Sequence, residues 1–394
     1  MTAVPARDDA RRKAPVNQGC YMRAIPDASF TEVVSPNADT LYSSAWLDLS
    51  EQPLVLALPD FGDRFWTVPV LDAWSNVCAV VGRRRNGPSA GPFLIAGPSW
   101  SGATPDGLTL LKSPTTMNWI IARYATSGPS DFPAVNRLQD ETRLIPLSDW
   151  TGTPGDYSPP VDVPVPAGAD ATTPPVDQVH ALGGREYFTL LNQRMADNPP
   201  DPADAPIVGR LAELGIAPGA SLDGLSPERL AALDAGARRG PEVLRTLLAR
   251  AESAHSAGWT VHRGLGDYGT DYAKRAVITL VGYGANLDAD ALYPHATHDA
   301  DGRPLDGAHT YVLHFDAGEA PPVDGFWSLT MMNERHLFAD NPLNRYATGS
   351  PHPQAASTSS SACTGPSSPP SRVTGPRLRC DAPAEPRRPL PQRY

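Results

Sequence analysis

Short apolar runs that end at turn residues are the feature that most limits how this chain can fold. Residues 54–59 and 93–98 are apolar runs closed by proline, and residues 64–71 are rich in aromatic and β-branched side chains. The chain also holds 44 prolines and 33 glycines, which is high for a helical protein. Runs of about four to eight residues with such boundaries predict an antiparallel sandwich or barrel.

A different pattern occupies the middle of the chain. Phe188, Leu191 and Met195 recur at helical spacing, and a further helix is predicted to begin near Pro241. After Ser350 the composition changes again, since residues 351–394 contain ten prolines and seven serines. Such a segment cannot bury enough apolar surface to offset its ordering entropy, so disorder is predicted there.

The predicted fold class is therefore mainly β with a helical insertion (α+β), built from two antiparallel β-sandwich domains. The predicted segments are a loose N-terminal tail (1–19), a first β-sandwich domain (20–155), a proline-rich linker and helical subdomain (156–258), a second β-sandwich domain (259–349) and a disordered tail (350–394).

Charge and composition exclude several classes of partner. The net charge of −10 argues against nucleic acid, whose phosphates need a basic face. No window of about 18 apolar residues predicts a membrane span, and residues 1–13 lack the apolar region of a signal peptide. The cytoplasm is therefore the default location. Four cysteines without a Cys-x-x-Cys pair predict no zinc site, and no cofactor is identified.

Two weaker motifs have a simpler interpretation. Residues 264–269 spell G-x-G-x-x-G, but no repeated βα alternation surrounds them, so a glycine-rich turn is favoured over a dinucleotide site. Residues 295–309 crowd His and Asp side chains that could hold a divalent cation. A polar loop whose aspartates bond their own backbone is the favoured alternative.

The strongest candidate binding residues lie before the first long strand. Asn37, Asp39, Thr40 and Tyr42 could supply an amide, a carboxylate, a hydroxyl and a phenol to one pocket. The alternative is an Asx-type turn that leads into the strand. Further along, Asp72 is a candidate beside Trp74.

Arg123 follows the apolar run 119–122. An arginine in that position is either a buried ion-pair partner or a clamp for an anion, and the sequence does not choose between them.

These and further motifs together resemble a known pairing of families. Residues 36–43, 46–49, 97–102 and 123 resemble domain-of-unknown-function family 1254. Residues 268–276, 284–286, 305–307 and 326–330 resemble family 1214. The resemblance covers roughly residues 20–348.

The resemblance implies two β-sandwiches, the second jelly-roll-like, with a helical segment between them and no settled activity. The family continues through further strands where this chain becomes rich in Pro, Ser and Arg. We therefore expect a shifted reading frame or a truncated ending, which would leave the second domain incomplete.

Two function classes stay open, and the catalytic residues are unknown. The first is binding or transformation of a small molecule at the interface between the two domains, which adds Tyr272, Arg275, Asn286 and Trp327 to the candidates. The alternative is a non-enzymatic assembly protein that forms a homo-oligomer. Ligand sites favour domain interfaces, whereas β-sandwiches serve both roles.

Overall fold

The computed structural model describes residues 4–30, 35–89, 91–155, 157–253, 259–316, 318–350 and 377–378. These residues form a mixed structure with seven α-helices and several sheets, most of whose strand pairs are antiparallel. The tail that the sequence predicts to be disordered lies outside the described residues, apart from Ser350, Arg377 and Leu378. None of the described helices is both long enough and apolar enough to cross a membrane.

A five-stranded sheet dominates the N-terminal part. Its strands run in the order β1-β2-β8-β4-β5, and every neighbouring pair is antiparallel. The strands are β1 (Cys20–Tyr21), β2 (Thr40–Asp48), β4 (Trp66–Asp72), β5 (Val77–Gly82) and β8 (Met117–Ala125).

A four-stranded sheet lies against it, in the order β7-β6-β3-β9. Its strands are β3 (Leu54–Ala57), β6 (Phe93–Ala96), β7 (Thr109–Lys112) and β9 (Arg143–Pro146), and the helices α1 (Arg83–Asn86) and α2 (Phe132–Glu141) join strands of this part. The pairing of β6 with β7 is parallel, which departs from the all-antiparallel prediction. Residues 97–108 make this possible, because a parallel pair needs a crossover of about a dozen residues.

One hydrophobic core joins the two sheets. Leu41, Trp66 and Tyr124 of the five-stranded sheet pack with Leu54 and Ile95 of the four-stranded sheet, and all five side chains are buried. Strand β2 shows why: its side chains alternate between buried and half-buried along the strand. This period of two places one face of the sheet in the core and turns the other face away from it.

The middle of the chain is helical. Its helices are α3 (Pro175–Ala181), α4 (Gly184–Asp197), α5 (Ala205–Ala212) and α6 (Pro227–Ser253). Met195, Ile216, Leu222 and Leu233 form its own small core. The prediction of a separate helix from Pro241 is wrong, because α6 continues through that proline.

The C-terminal part contains one helix and short strand pairs. Strands β10 and β11 pair antiparallel, as do β13 and β14, whereas β12 and β15 pair parallel. No larger sheet forms among the described residues here, so the jelly roll stays a prediction. The elements are β10 (Thr260–Val261), α7 (Tyr272–Gly282), β11 (Pro294–His295), β12 (Val312–Leu313), β13 (Ser328–Thr330), β14 (Ala347–Gly349) and β15 (Arg377–Leu378).

Candidate ligand-binding site

A row of polar side chains crosses the outer face of the five-stranded sheet, the face turned away from the core. Tyr42 on β2 lies opposite Arg123 on β8, and Arg123 lies opposite Thr67 on β4. Directly opposed residues share a face of a sheet and have neighbouring Cβ atoms. The register therefore places a phenol, a guanidinium and a hydroxyl side by side.

A distant segment of the chain closes over this row. Arg123 Nη1 donates a hydrogen bond of 2.5 Å to Asn286 Oδ1. Asn286 Nδ2 in turn donates a bond of 2.6 Å to the hydroxyl of Tyr293. We call this contact between the outer face of the sheet and residues 283–293 the seam.

Arg123 differs from the other arginines of the N-terminal part that are held in contacts. Arg64 forms a bidentate pair with Asp131, and Arg84 does the same with Asp290. Arg123 is half-buried, and no carboxylate of the described residues pairs with it. Of the two interpretations that the sequence left open, the ion pair is therefore not seen among these residues.

The guanidinium of Arg123 nevertheless stays protonated. Burial acts to lower the pKa of Arg123, but the phenol oxygens of Tyr42 and Tyr293 act the other way, and the pKa is raised above its ordinary value. The guanidinium also lies 5.1 Å from the centroid of the Tyr42 ring, within range of a cation–π contact. The seam therefore contains a permanent positive charge.

Aromatic rings line the seam beyond Arg123. The rings of Trp46 and Trp119 stack with centroids 5.3 Å apart. The ring of Tyr283 lies edge-on to Trp119, with centroids 6.5 Å apart. Tyr283 ends α7 with a φ of 61°, which is uncommon for a residue other than glycine. Gly284 follows, and a Cβ there would overlap the side chain of Leu71. The close approach of this segment to the sheet therefore favours glycine, since a Cβ would have to displace the side chain of Leu71.

The predicted residues before β2 serve mainly to shape a turn. Asn37 Oδ1 accepts from the backbone N–H groups of Asp39 and Thr40 at 2.8 and 2.7 Å and from the Thr40 hydroxyl at 3.1 Å. This is the Asx-type turn that the sequence offered as the alternative. Asp39 instead accepts a bond of 2.6 Å from the hydroxyl of Ser328, so it links the turn to the C-terminal part.

Three other predicted residues form a second group. Asp72 accepts from the backbone N–H of Trp74 and of Asn76, each at 2.9 Å, and burial raises the pKa of its carboxyl. The guanidinium of Arg275 lies 5.6 Å from the ring of Trp74 and 5.3 Å from the ring of Tyr272.

The hydroxyl of Tyr272 donates a hydrogen bond of 2.8 Å to Oδ1 of the buried Asp204. This group joins the sheet, the helical segment and α7, and among the described residues no hydrogen bond or ring contact links it to Arg123. The last predicted residue, Trp327, packs edge-on against Phe315 at 5.2 Å and belongs to neither group.

The described residues contain no group of three or more His, Cys, Asp or Glu side chains that could hold a metal ion. Asp299 bonds the backbone of its own loop at Asp301 and Arg303, each at 2.9 Å. The glycine-rich residues 264–269 form a turn before α7, where Gly264 and Gly266 have positive φ values. Asp299 therefore shapes its own loop, whereas the glycine-rich turn also docks on β5, where the Val77 N–H donates to the Gly266 carbonyl at 2.6 Å.

Thr67 and Tyr293 are among the residues of the seam that the sequence prediction missed. Thr67 could have been found, because alternation along β4 and β8 places it on the face of Arg123 once the strands are paired. Tyr293 carries no local signal, since it follows the loop after α7. Only the tertiary contact through Asn286 brings it to the site.

Comparisons with known proteins bear on the family and the fold. A search of curated proteins finds no match. The VPA0106 protein of Vibrio parahaemolyticus, a structural-genomics target, has a crystal structure that matches with a TM-score of 0.58. The two share 22% sequence identity, over 80% of this chain and 74% of that one. At this identity the likeness shows the fold alone.

Two family models match the chain, and each is described as a protein of unknown function. The first, DUF1254, covers residues 16–146, and the second, DUF1214, covers residues 290–375. The second match runs past residue 348, where the resemblance in the sequence was placed. The chain therefore carries the pairing that its motifs resemble, with a region of the family DUF1254 in its N-terminal part and a region of the family DUF1214 in its C-terminal part.

Proposed function

We propose that the seam binds a small molecule. The observation that carries this proposal is the meeting of Tyr42, Arg123 and Asn286, which come from positions far apart in the chain. Turn-forming residues would bond only their own loops, whereas these contacts converge on one charged group. Ligand sites favour such junctions between parts of a chain.

Access from solvent supports the same proposal. Asn286 is 2% exposed, whereas Tyr293, to which it is bonded, is 46% exposed. The polar contacts thus run from a buried amide to an exposed phenol. A ligand entering beside Tyr293 would meet Arg123 and Asn286 at the buried end.

A thermal-shift screen of charged and neutral compounds tests this function, since a ligand that binds the folded state stabilises it by RT ln(1+[L]/Kd). We expect some compounds to raise Tm, and we expect Tyr42→Phe and Asn286→Ala to reduce that shift. Tyr187→Phe is the matched control, because Tyr187 lies on α4. The proposal fails if no compound shifts the wild type, or if the shifts survive both seam variants.

Assembly into an oligomer is the second candidate, and one observation favours it. Large apolar side chains of the C-terminal part are exposed, with Leu343 81% and Met331 62% accessible. Exposed apolar side chains favour association where they form one patch. Light scattering should then report a homo-oligomer that Met331→Glu with Leu343→Glu dissociates, and a monomeric wild type would contradict this candidate.

We also propose the finer architecture that the sequence predicted. A β-sandwich for residues 20–155 is supported by the core that the two sheets share. The jelly-roll-like form of the second domain is supported by the family resemblance. An experimental structure of the whole chain tests both.

A further inference from the structure

We infer that the ligand of the seam carries a carboxylate group, held by Arg123. This inference rests on the proposed function and specifies the chemistry of its ligand. It is argued in three steps, from the charge of Arg123, from its unused donors and from the hydroxyl groups around it.

The first step concerns charge. Removing a cation from water is costly unless an opposite charge compensates it. Arg64, which is 5% exposed, obtains that compensation from Asp131 at 2.6 Å. Arg123 is also withdrawn from solvent but has no carboxylate partner among the described residues. A bound anion would supply the missing charge.

The second step concerns hydrogen-bond donors. A guanidinium carries five N–H donors in a planar fork. Asn286 accepts from one of them, at Nη1, and the Tyr42 phenol lies beside the group. At least three donors are therefore left for a ligand, and a carboxylate matches two of them in a bidentate pair.

The third step concerns the hydroxyl groups. Thr67 is 4% exposed, and its Oγ1 has no hydrogen-bond partner, although it lies next to Arg123 across the strands. The Tyr293 oxygen accepts from Asn286, which leaves its proton free to donate. A buried polar atom without a partner is destabilising. All the unused groups are thus able to donate, which favours an acceptor that bears negative charge.

The charge count favours a carboxylate over a phosphate. Among the described residues, Arg123 is the one cation that bonds to Asn286 or packs over Tyr42. A single positive charge balances a monoanion. A phosphate dianion would leave excess negative charge in a half-buried site, and its binding becomes an outcome of the test.

Calorimetry with simple probes tests the inference on the full chain. Acetate and benzoate are titrated beside their neutral counterparts acetamide and benzamide, and beside inorganic phosphate, at constant ionic strength in a Tris chloride buffer. We expect the two carboxylates to bind and the two amides to bind at least about tenfold more weakly, the loss that follows from a charge-assisted hydrogen bond.

Variants then assign the contact. Arg123→Gln should lower carboxylate affinity about tenfold or more, and Arg123→Lys, which keeps the charge but loses the fork, should lower it less. Arg185→Gln is the matched control, because it removes an exposed arginine of α4 that pairs with Asp223 in the helical part of the chain. It should change the affinity by less than about twofold.

The outcomes separate this inference from the proposed function. Three results would overturn the inferred carboxylate while leaving ligand binding at the seam intact. They are amides that bind as tightly as the acids, phosphate that binds more tightly than the carboxylates, and normal carboxylate affinity in Arg123→Gln. If no probe and no compound of the wider screen binds, the proposed function itself is wrong. Should Arg123→Gln fail to fold, Thr67→Val replaces it, and unchanged carboxylate affinity in that variant overturns the inference.

Discussion

Two hydroxyl groups inside the core between the sheets form no hydrogen bond of good geometry, although the Tyr124 hydroxyl lies close to Ser43 and Thr142. Ser43 Oγ and Tyr124 OH are both buried and unbonded, and both line a cavity of about 30 Å³ together with Thr142. A cavity of that size is large enough for an ordered water, which needs two or more polar partners. The lining residues meet this condition.

Tyr124→Phe tests for that water. If a water bonds the phenol, removing the hydroxyl should lower the free energy of unfolding by about 1 kcal/mol. If the cavity is dry, the same change removes an unsatisfied group and should stabilise the protein. We expect the destabilising sign in urea unfolding, with Tyr187→Phe as the control for loss of a hydroxyl elsewhere.

The buried thiol of Cys20 and the half-buried thiol of Cys78 make stability sensitive to alkali. Burial raises the pKa of each from 9.0 to about 11. Above pH 9 the unfolded chain releases these protons while the folded chain keeps them, so the free energy of unfolding falls as pH rises to about 11. At about 1.4 kcal/mol per pKa unit, each thiol contributes roughly 2–3 kcal/mol to that loss.

Chemical unfolding between pH 8 and pH 11 measures this loss, and Cys78→Ala should make the decline shallower. The folded protein should also alkylate slowly at both positions at pH 8, as mapped by mass spectrometry, because the thiolate is the reactive form. Rapid alkylation of Cys20 or Cys78 in the native state would contradict the pKa direction.

At the scale of elements, strand β8 shows how far sequence patterns reach. Residues 117–124 have the length and the β-branched and aromatic content typical of a β-strand, and Met117–Ala125 is one. The run is apolar on both faces, so it could not reveal which side faces the core. The pairing with β2 and β4 decides that, by placing Ile120 and Tyr124 inward and Arg123 at the seam.

Helix α6 shows the opposite case, in which the packing overrides a local rule. A proline inside a helix removes a hydrogen bond and crowds the preceding turn. That rule predicted a new helix near Pro241, yet the helix continues through it. Contacts of α6 with α4, including the small core at Met195 and Leu233, hold its first half in place.

Pro241→Ala should therefore stabilise α6. The change restores a backbone donor and relieves crowding, so we expect a gain of about 1–3 kcal/mol in local stability. Hydrogen exchange of the amides in residues 237–245 measures it, and protection should increase. Unchanged or faster exchange would contradict this expectation.

At the scale of the whole molecule, the approach of residues 283–286 to the five-stranded sheet connects the C-terminal part of the chain with the N-terminal part. A Cβ at Gly284 would overlap Leu71, whereas a Cβ at Gly282 would meet nothing within 4 Å. Gly284→Ala should therefore lower stability by about 1–3 kcal/mol through overpacking, and Gly282→Ala should not. Thermal unfolding of the two variants compares them directly, and equal Tm values would argue against this close contact.

The amino-acid sequence by itself determined the local elements of this protein. Runs bounded by proline and glycine specified strands, helical spacing specified α4, and Asn37 specified a turn, because each depends on neighbours within a few residues. Tertiary structure alone decided which polar groups meet. Arg123 reaches Asn286 and Tyr293 through strand register and loop docking. Residues so far apart in the chain show no sequence periodicity that could predict their contact.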